Sequence, residues 1–155
     1  MPTTITPERP DTVEAMALIN ELEAYLEPMY PPVSRHGYSI DKLLRENVAF
    51  FLIRYQEAPV GCGGIQLFGT EYGELKRMYV RPQFRGLGLA KQMLNHLAEH
   101  ARRQGVELLR LETGIHQTEA IGLYERAGFQ RIGPFGPYWD DPLSLFFEKR
   151  LSSEQ

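Results

Sequence analysis

Two glycines and two arginines, set between an apolar run and a long amphipathic pattern, are the residues of this chain best placed to hold an anion. The stretch reads Tyr79-Val80-Arg81-Pro82-Gln83-Phe84-Arg85-Gly86-Leu87-Gly88-Leu89-Ala90. A strand-like run, Leu75 to Val80, ends at Pro82, and a helical pattern begins near Leu87. At such a junction the first N–H groups of the helix have no intrahelical acceptor, and the macrodipole adds partial positive charge. Gly86 and Gly88 carry no Cβ, so a phosphate can approach the backbone. Arg81 and Arg85 add charge beside it. The turn is not a P-loop, because no Gly-Lys-Ser/Thr follows at the required spacing. It is not the three-glycine dinucleotide fingerprint either, since the third glycine is absent. An ordinary strand-to-helix turn needing two glycines is the plainer alternative.

The elements around this turn follow from periodicity. A short strand is expected at about residues 3–6. Asp11 or Thr12 caps a helix carrying Val13, Ala17, Leu18, Leu22 and Tyr25, which stops before Pro28. Residues 29–38 hold Pro31-Pro32 and Gly37 and read as a loop, and Ser39 caps a short helix to Arg45. Ala49–Tyr55, Val60–Phe68 and Glu74–Val80 read as an antiparallel meander, with turns at 57–59 and 70–73. Strict alternation puts Glu74, Lys76, Met78 and Val80 on one face of the third strand and Leu75, Arg77 and Tyr79 on the other. Neither face is cleanly apolar, so this strand borders a cleft. Ala90, Met93, Leu94, Leu97 and Ala101 form one stripe of the long helix, which ends at Gly105. Val106–Thr113 is a strand, so residues 74–113 make a βαβ unit with two parallel strands. A helix at 119–127, a strand from Phe129 to Ile132, a turn-rich loop at 133–142 and a last strand at 143–151 complete the chain.

Composition sets limits. The chain has 155 residues, net charge −3, 43% hydrophobic residues and one cysteine. That is the size of one domain with a proper core. The charge gives no global attraction to nucleic acid or anionic lipid. Cys62 cannot pair within the chain and sits in an apolar, glycine-rich run, so it reads as a small buried hydrophobe. Neither a signal pattern nor an apolar run long enough to span a bilayer is present, so a cytoplasmic protein without membrane contact is expected. Four scattered histidines and one cysteine make no metal set.

The pattern Gln83-x-x-Gly86-x-Gly88 resembles the pyrophosphate-binding signature of the GNAT superfamily, the Gcn5-related N-acetyltransferases. A second segment, Ala120-Ile121-Gly122-Leu123-Tyr124-Glu125-Arg126-Ala127-Gly128-Phe129, resembles that superfamily's A-x-x-L-Y-x-x-x-G-F segment. The element order is similar over about the whole chain. Leu111-Glu112-Thr113-Gly114 and Pro134-Phe135-Gly136-Pro137-Tyr138 look similar to a bacterial small-molecule acetyltransferase subgroup.

The resemblance implies an α+β, α/β-like fold and a single N-acetyltransferase domain over residues 1–155. It implies a mixed central sheet of about six to seven strands, with an antiparallel meander, splayed parallel strands in the βαβ unit and flanking helices. It also implies transfer of an acetyl group from acetyl-CoA, as co-substrate, to the amine of a small molecule. The CoA pyrophosphate would lie on the backbone of Arg85, Gly86, Leu87, Gly88, Leu89 and Ala90, next to Gln83. The pantetheine arm would pair with Met78, Tyr79 and Val80. Gln117 stands where the family often has an asparagine that bonds this arm, and the substitution puts that contact in question. Tyr124 falls at the position of the family's acid, which protonates the departing thiolate. Its bland alternative is core packing. Glu74 is the first candidate for the base that neutralises the amine; Glu112 and a water chain are the rivals, and an ion pair of either carboxylate is the structural alternative.

The acceptor would be held by the loops at 29–38 and 135–141. Tyr30, His36 and Tyr138, with Tyr38 and Trp139, make an aromatic-rich set, and Arg35 and Arg77 can hold a carboxylate. Glu112 borders the same space. Acetylation of a protein N-terminus or lysine is a second reading, and a non-catalytic acyl-CoA sensor a third. Family members often dimerise, so a homodimer is expected by analogy.

Overall fold

The structure, a computed structural model, describes residues 2–151. Seven strands form one sheet in the order β1-β2-β3-β4-β5-β7-β6. They are β1 (Thr3–Pro7), β2 (Ala49–Tyr55), β3 (Ala58–Phe68), β4 (Tyr72–Val80), β5 (Leu108–Gly114), β6 (Gln130–Ile132) and β7 (Ser144–Arg150). Four helices flank it: α1 (Val13–Leu26), α2 (Ile40–Arg45), α3 (Leu89–Arg103) and α4 (Thr118–Arg126). Thr12 Oγ1 accepts from the Ala15 N–H and Ser39 Oγ from the Lys42 N–H, so both expected side-chain caps form.

The meander turns one step earlier than periodicity predicts. Tyr55 pairs with Ala58, and Gln56 and Glu57 both adopt positive φ, 50° and 74°. A two-residue hairpin needs this backbone to match strand twist. The pattern of the sequence places the turn at Glu57-Ala58-Pro59 because neither Gln56 nor Glu57 is a glycine or asparagine.

The sheet separates two apolar layers. Leu89, Met93, Leu94, Leu97 and Ala101 of α3 pack on one face with Tyr124 and Phe147; Ala90 joins the stripe half-buried, and Leu89 extends it. Leu18, Ile19 and Leu22 of α1 pack on the other with Leu43 and Leu52. Strand β4 departs from simple alternation. The β3–β4 register shifts between Cys62 and Gly64, and Arg77 sits at φ 55°. This bulge absorbs one residue, as bulges beside functional sites commonly do. Leu75, Met78 and Val80 consequently all join the α3 layer, while Tyr79 joins the α1 layer and the Arg77 guanidinium reaches Glu23 of α1. The expected grouping of Glu74 and Lys76 with Met78 and Val80 is thereby corrected.

The βαβ unit is splayed. Strands β4 and β5 are parallel but pair only at Gly73↔Leu109 and Glu74↔Arg110. Beyond Glu74 they diverge, leaving the β5-facing edge of β4 without a strand partner. An unmet buried backbone group costs about 1–3 kcal/mol, so such a gap in the middle of a sheet is a place for a ligand to complete. Among the described residues no helix is long and apolar enough to cross a membrane.

Candidate active site

Two hollows open along this gap and share a wall. The larger, about 730 Å³, runs from the divergence of β4 to the start of α3. Its lining includes Met78, Tyr79 and Val80 on one side, Arg85, Gly86, Gly88, Leu89 and Ala90 at one end, and Gln117 and Tyr124 on the other side. Gly88, the residue before α3, takes φ 78°, where a side chain would be strained. Nothing lies within 4 Å of a Cβ built there or at Gly86, so their backbone faces open space. Gln83 and Leu87 do not line the hollow and are exposed on the turn. Arg81 is committed elsewhere: its guanidinium clasps Glu21 through contacts of 2.7 to 3.1 Å and donates to the Pro59 carbonyl at 2.8 Å. Arg85 stays at the rim, donating to the Val80 carbonyl and to Glu119, each at 3.1 Å.

The smaller hollow, about 130 Å³, holds the acceptor-side residues: Tyr30, His36, Arg77, Glu74, Glu112 and Tyr138 all line it. Trp139 does not, and is 49% exposed. Met78, Gln117 and Tyr124 line both hollows and so mark their junction.

Three contacts close the roof. His36 Nε2 meets Asp141 at 3.3 Å, the His36 ring stands edge-on to Tyr138, and Asp141 accepts the Leu143 N–H at 2.9 Å. The first two tie the 29–38 loop to the 133–143 loop, and the third braces the second loop on itself. Tyr30 secures the other end: its hydroxyl donates to Gln117 Oε1 and accepts the His116 N–H. Gly114 makes this possible, since a Cβ there would lie 2.0 Å from that hydroxyl oxygen. With its oxygen occupied, Gln117 keeps a buried Nε2 that has no acceptor among the described residues. Gln117 itself lines both hollows.

The two candidate bases have different surroundings. Glu74 is 2% exposed, 3.0 Å from Lys76 Nζ, and accepts from the Tyr138 hydroxyl. Lys76 also lies 3.7 Å from the centre of the Tyr38 ring, a cation–π contact. Burial pushes the Lys76 ammonium below the ordinary lysine value, against the pull of Glu74. Glu74 is thus half of a buried ion pair. Glu112 has only the Ser144 hydroxyl, donating at 2.8 Å, and no paired cation among the described residues. Burial pushes its carboxyl up; the Ser144 bond and the His36 charge oppose that, and the Glu74 charge adds to it. Raising a carboxyl toward neutrality is what a general base requires.

Breaking the Glu74–Lys76 pair has a stability consequence. Glu74→Gln leaves a buried ammonium and is expected to cost about 3 kcal/mol, the usual size when one buried partner is removed. The midpoint of urea unfolding measures it. Glu74→Gln combined with Lys76→Met recovers most of the loss.

Tyr124 is 6% exposed and packs its ring on Phe129 and Phe147. Burial, and then the Glu112 charge, push its phenol above the ordinary tyrosine value. It therefore keeps its proton through the neutral range, as an acid must before its turn. Cys62 is buried, donates to the Arg77 carbonyl at 3.3 Å and is pushed up to about 12 by burial. No thiolate nucleophile exists there.

The Lys76–Glu74 ion pair realises the structural alternative that the sequence offers for Glu74. Asp141 and Ser144 are not legible as site features: each depends on loops or strands distant in sequence, and only the β5–β7 register, Gly114↔Ser144 and Glu112↔Phe146, brings Ser144 to Glu112.

The model of the "Acetyltransferase (GNAT) family" matches residues 15–129 of this chain. The chain belongs to the GNAT family. It is 43% identical over 150 residues to the IAA acetyltransferase of Azospirillum brasilense, covering 96% of this chain and 97% of that protein. A crystal structure from Klebsiella pneumoniae, provisionally described as an acyl-CoA N-acyltransferase, superposes with a TM-score of 0.82 at 41% identity, covering 97% of this chain and 98% of that one. A GNAT family acetyltransferase from Elizabethkingia anophelis, solved with acetyl-CoA bound, shares the fold at a TM-score of 0.71 and 21% identity, with 97% and 99% of the two chains covered. As a GNAT protein the chain is an acyl-CoA-dependent N-acyltransferase.

Proposed function

We propose that this enzyme moves an acetyl group from acetyl-CoA to the primary amine of a small molecule, by direct attack within a ternary complex. The observation that carries this reading is the meeting of the 730 Å³ and 130 Å³ hollows at Tyr124 and Gln117. The larger hollow takes the CoA: pyrophosphate on the amides at the start of α3, Arg85 beside it, pantetheine along the unpaired edge of Met78–Val80. The Gln117 Nε2 donates to the arm or to the thioester carbonyl. The amine enters from the smaller hollow. Glu112 removes one proton from the ammonium, directly or through a water. The amine nitrogen attacks the thioester carbon, the C–N bond forms, the C–S bond breaks, and Tyr124 gives its proton to the departing sulfur; the second proton leaves the new amide nitrogen through water and restores the Tyr124 phenol. Two substrates held side by side supply the proximity term of the rate.

A small acceptor suits a small roofed space better than a polypeptide does, and the Azospirillum relative is named for acetylating IAA. The test has two readouts. Calorimetry with acetyl-CoA gives binding heat, and Gly88→Val weakens the affinity about tenfold or more, because a β-branched residue at positive φ costs about 1–2 kcal/mol. A thiol-release assay across amino acids, polyamines, aminoglycosides and arylamines then reports turnover. Absence of heat in folded protein refutes the CoA assignment. Heat without turnover on any amine refutes acetyl transfer to small amines.

A further inference from the structure

Most charges around the acceptor hollow cancel in pairs. Glu74 has Lys76 at 3.0 Å, Arg77 has Glu23 at 2.7 Å, and His36 has Asp141 at 3.3 Å. Two groups of opposite sign have no buried counter-charge among the described residues. Glu112 is a half-buried carboxylate held by the Ser144 hydroxyl, with no paired cation among the described residues. Arg35 is a guanidinium on the same lining, its side chain only 20% exposed. Arg35 pairs with Glu27 across 3.9 Å at the surface, where the Glu27 side chain is 73% exposed. The Arg35 Nε is buried and has no acceptor among the described residues. A planar fork with an unmet donor is a receptor for a carboxylate, which can take two parallel bonds from it.

We infer that the acceptor is a free amino acid, bound as a zwitterion with its ammonium on Glu112 and its carboxylate on Arg35. This rests on the amine-transfer reading above and narrows its substrate class. It orients the molecule: the end that must lose a proton faces the proposed base and the thioester, and the charged end that does not react is held by Arg35. A peptide N-terminus carries an amide where this site offers a guanidinium, and a simple amine carries nothing there. Discrimination follows from the donor left unsatisfied in their complexes.

The experiment pairs each standard L-amino acid with its decarboxylated amine (phenylalanine with phenethylamine, histidine with histamine, tryptophan with tryptamine) and measures thiol release from acetyl-CoA. At least one amino acid should exceed its amine by about 100-fold or more in kcat/KM, the scale on which sites reject a ligand that leaves a polar group unpaired. Arg35→Gln should collapse that ratio to about tenfold or less, chiefly by raising the KM of the amino acid. Binding heat with coenzyme A reports that the variant is folded. Equal or faster turnover of the amines overturns the zwitterion proposal and leaves acetyl transfer to amines standing, as does a ratio that survives Arg35→Gln. If neither series releases thiol while acetyl-CoA binds, the amine-transfer reading falls with it.

Discussion

Replacing Glu112 by glutamine is expected to cut kcat/KM for the acceptor by about a thousandfold, within the range general bases contribute, and to leave the protein at least as heat-stable as the parent. The two effects share one cause. The folded protein holds the Glu112 carboxyl above its ordinary value because burial disfavours the charge. The stability attached to that group is therefore present in acid, below the ordinary carboxylate range, and is lost as pH rises through the raised value. Activity runs the other way, since only the ionised form accepts a proton. The acid limb of the pH–rate profile should fall at the raised Glu112 value, above the usual carboxylate range, and should disappear in Glu112→Gln. Glutamine keeps an oxygen for the Ser144 hydroxyl and removes the buried charge. An acceptor of low basicity, already neutral at the assay pH, should lose much less in the variant. If Glu112→Gln keeps full activity with a strongly basic amine, Glu112 is not the base.

Tyr124→Phe is expected to lower kcat by about a hundredfold, at the low end for a proton donor, with little change in the KM for acetyl-CoA. The ring packs against Phe129 at 5.7 Å and Phe147 at 6.3 Å between centroids. Phenylalanine preserves those contacts, so thermal stability should hold. The decisive comparison uses an acyl donor whose thiol is more acidic than that of CoA. Its sulfur leaves without help, so the penalty of the variant shrinks. A penalty that is the same for both donors would assign Tyr124 to packing and remove it from the proton path.

Much of this arrangement is legible in the residue pattern. The α3 stripe, the Thr12 and Ser39 caps and the glycine turn each depend on neighbours within a few positions. Local physics therefore decides them. What could not be read depends on distant partners or on backbone that side-chain types do not signal. Gln56 and Glu57 turn the chain at positive φ without glycine or asparagine. Arg81 and Arg85 look equivalent in the turn, and only the approach of α1 shows that Glu21 takes the first. Glu74 and Glu112 are both carboxylates on neighbouring strands. Their difference comes from Lys76, two residues along β4, and Ser144, brought in by β7.

The extra residue in β4 has a bearing on how this enzyme can change. Up to Lys76 the strand presents alternate side chains to its two sides, and the bulge at Arg77 restarts that count before Met78. Exchanging one side chain there alters one wall. Gaining or losing a single position between Lys76 and Met78 would reverse the two faces of the strand's last residues, sending Met78 and Val80 from the α3 layer to the α1 layer and Tyr79 the other way. Descent can thus retune this strand by substitution, while its length is fixed to the residue.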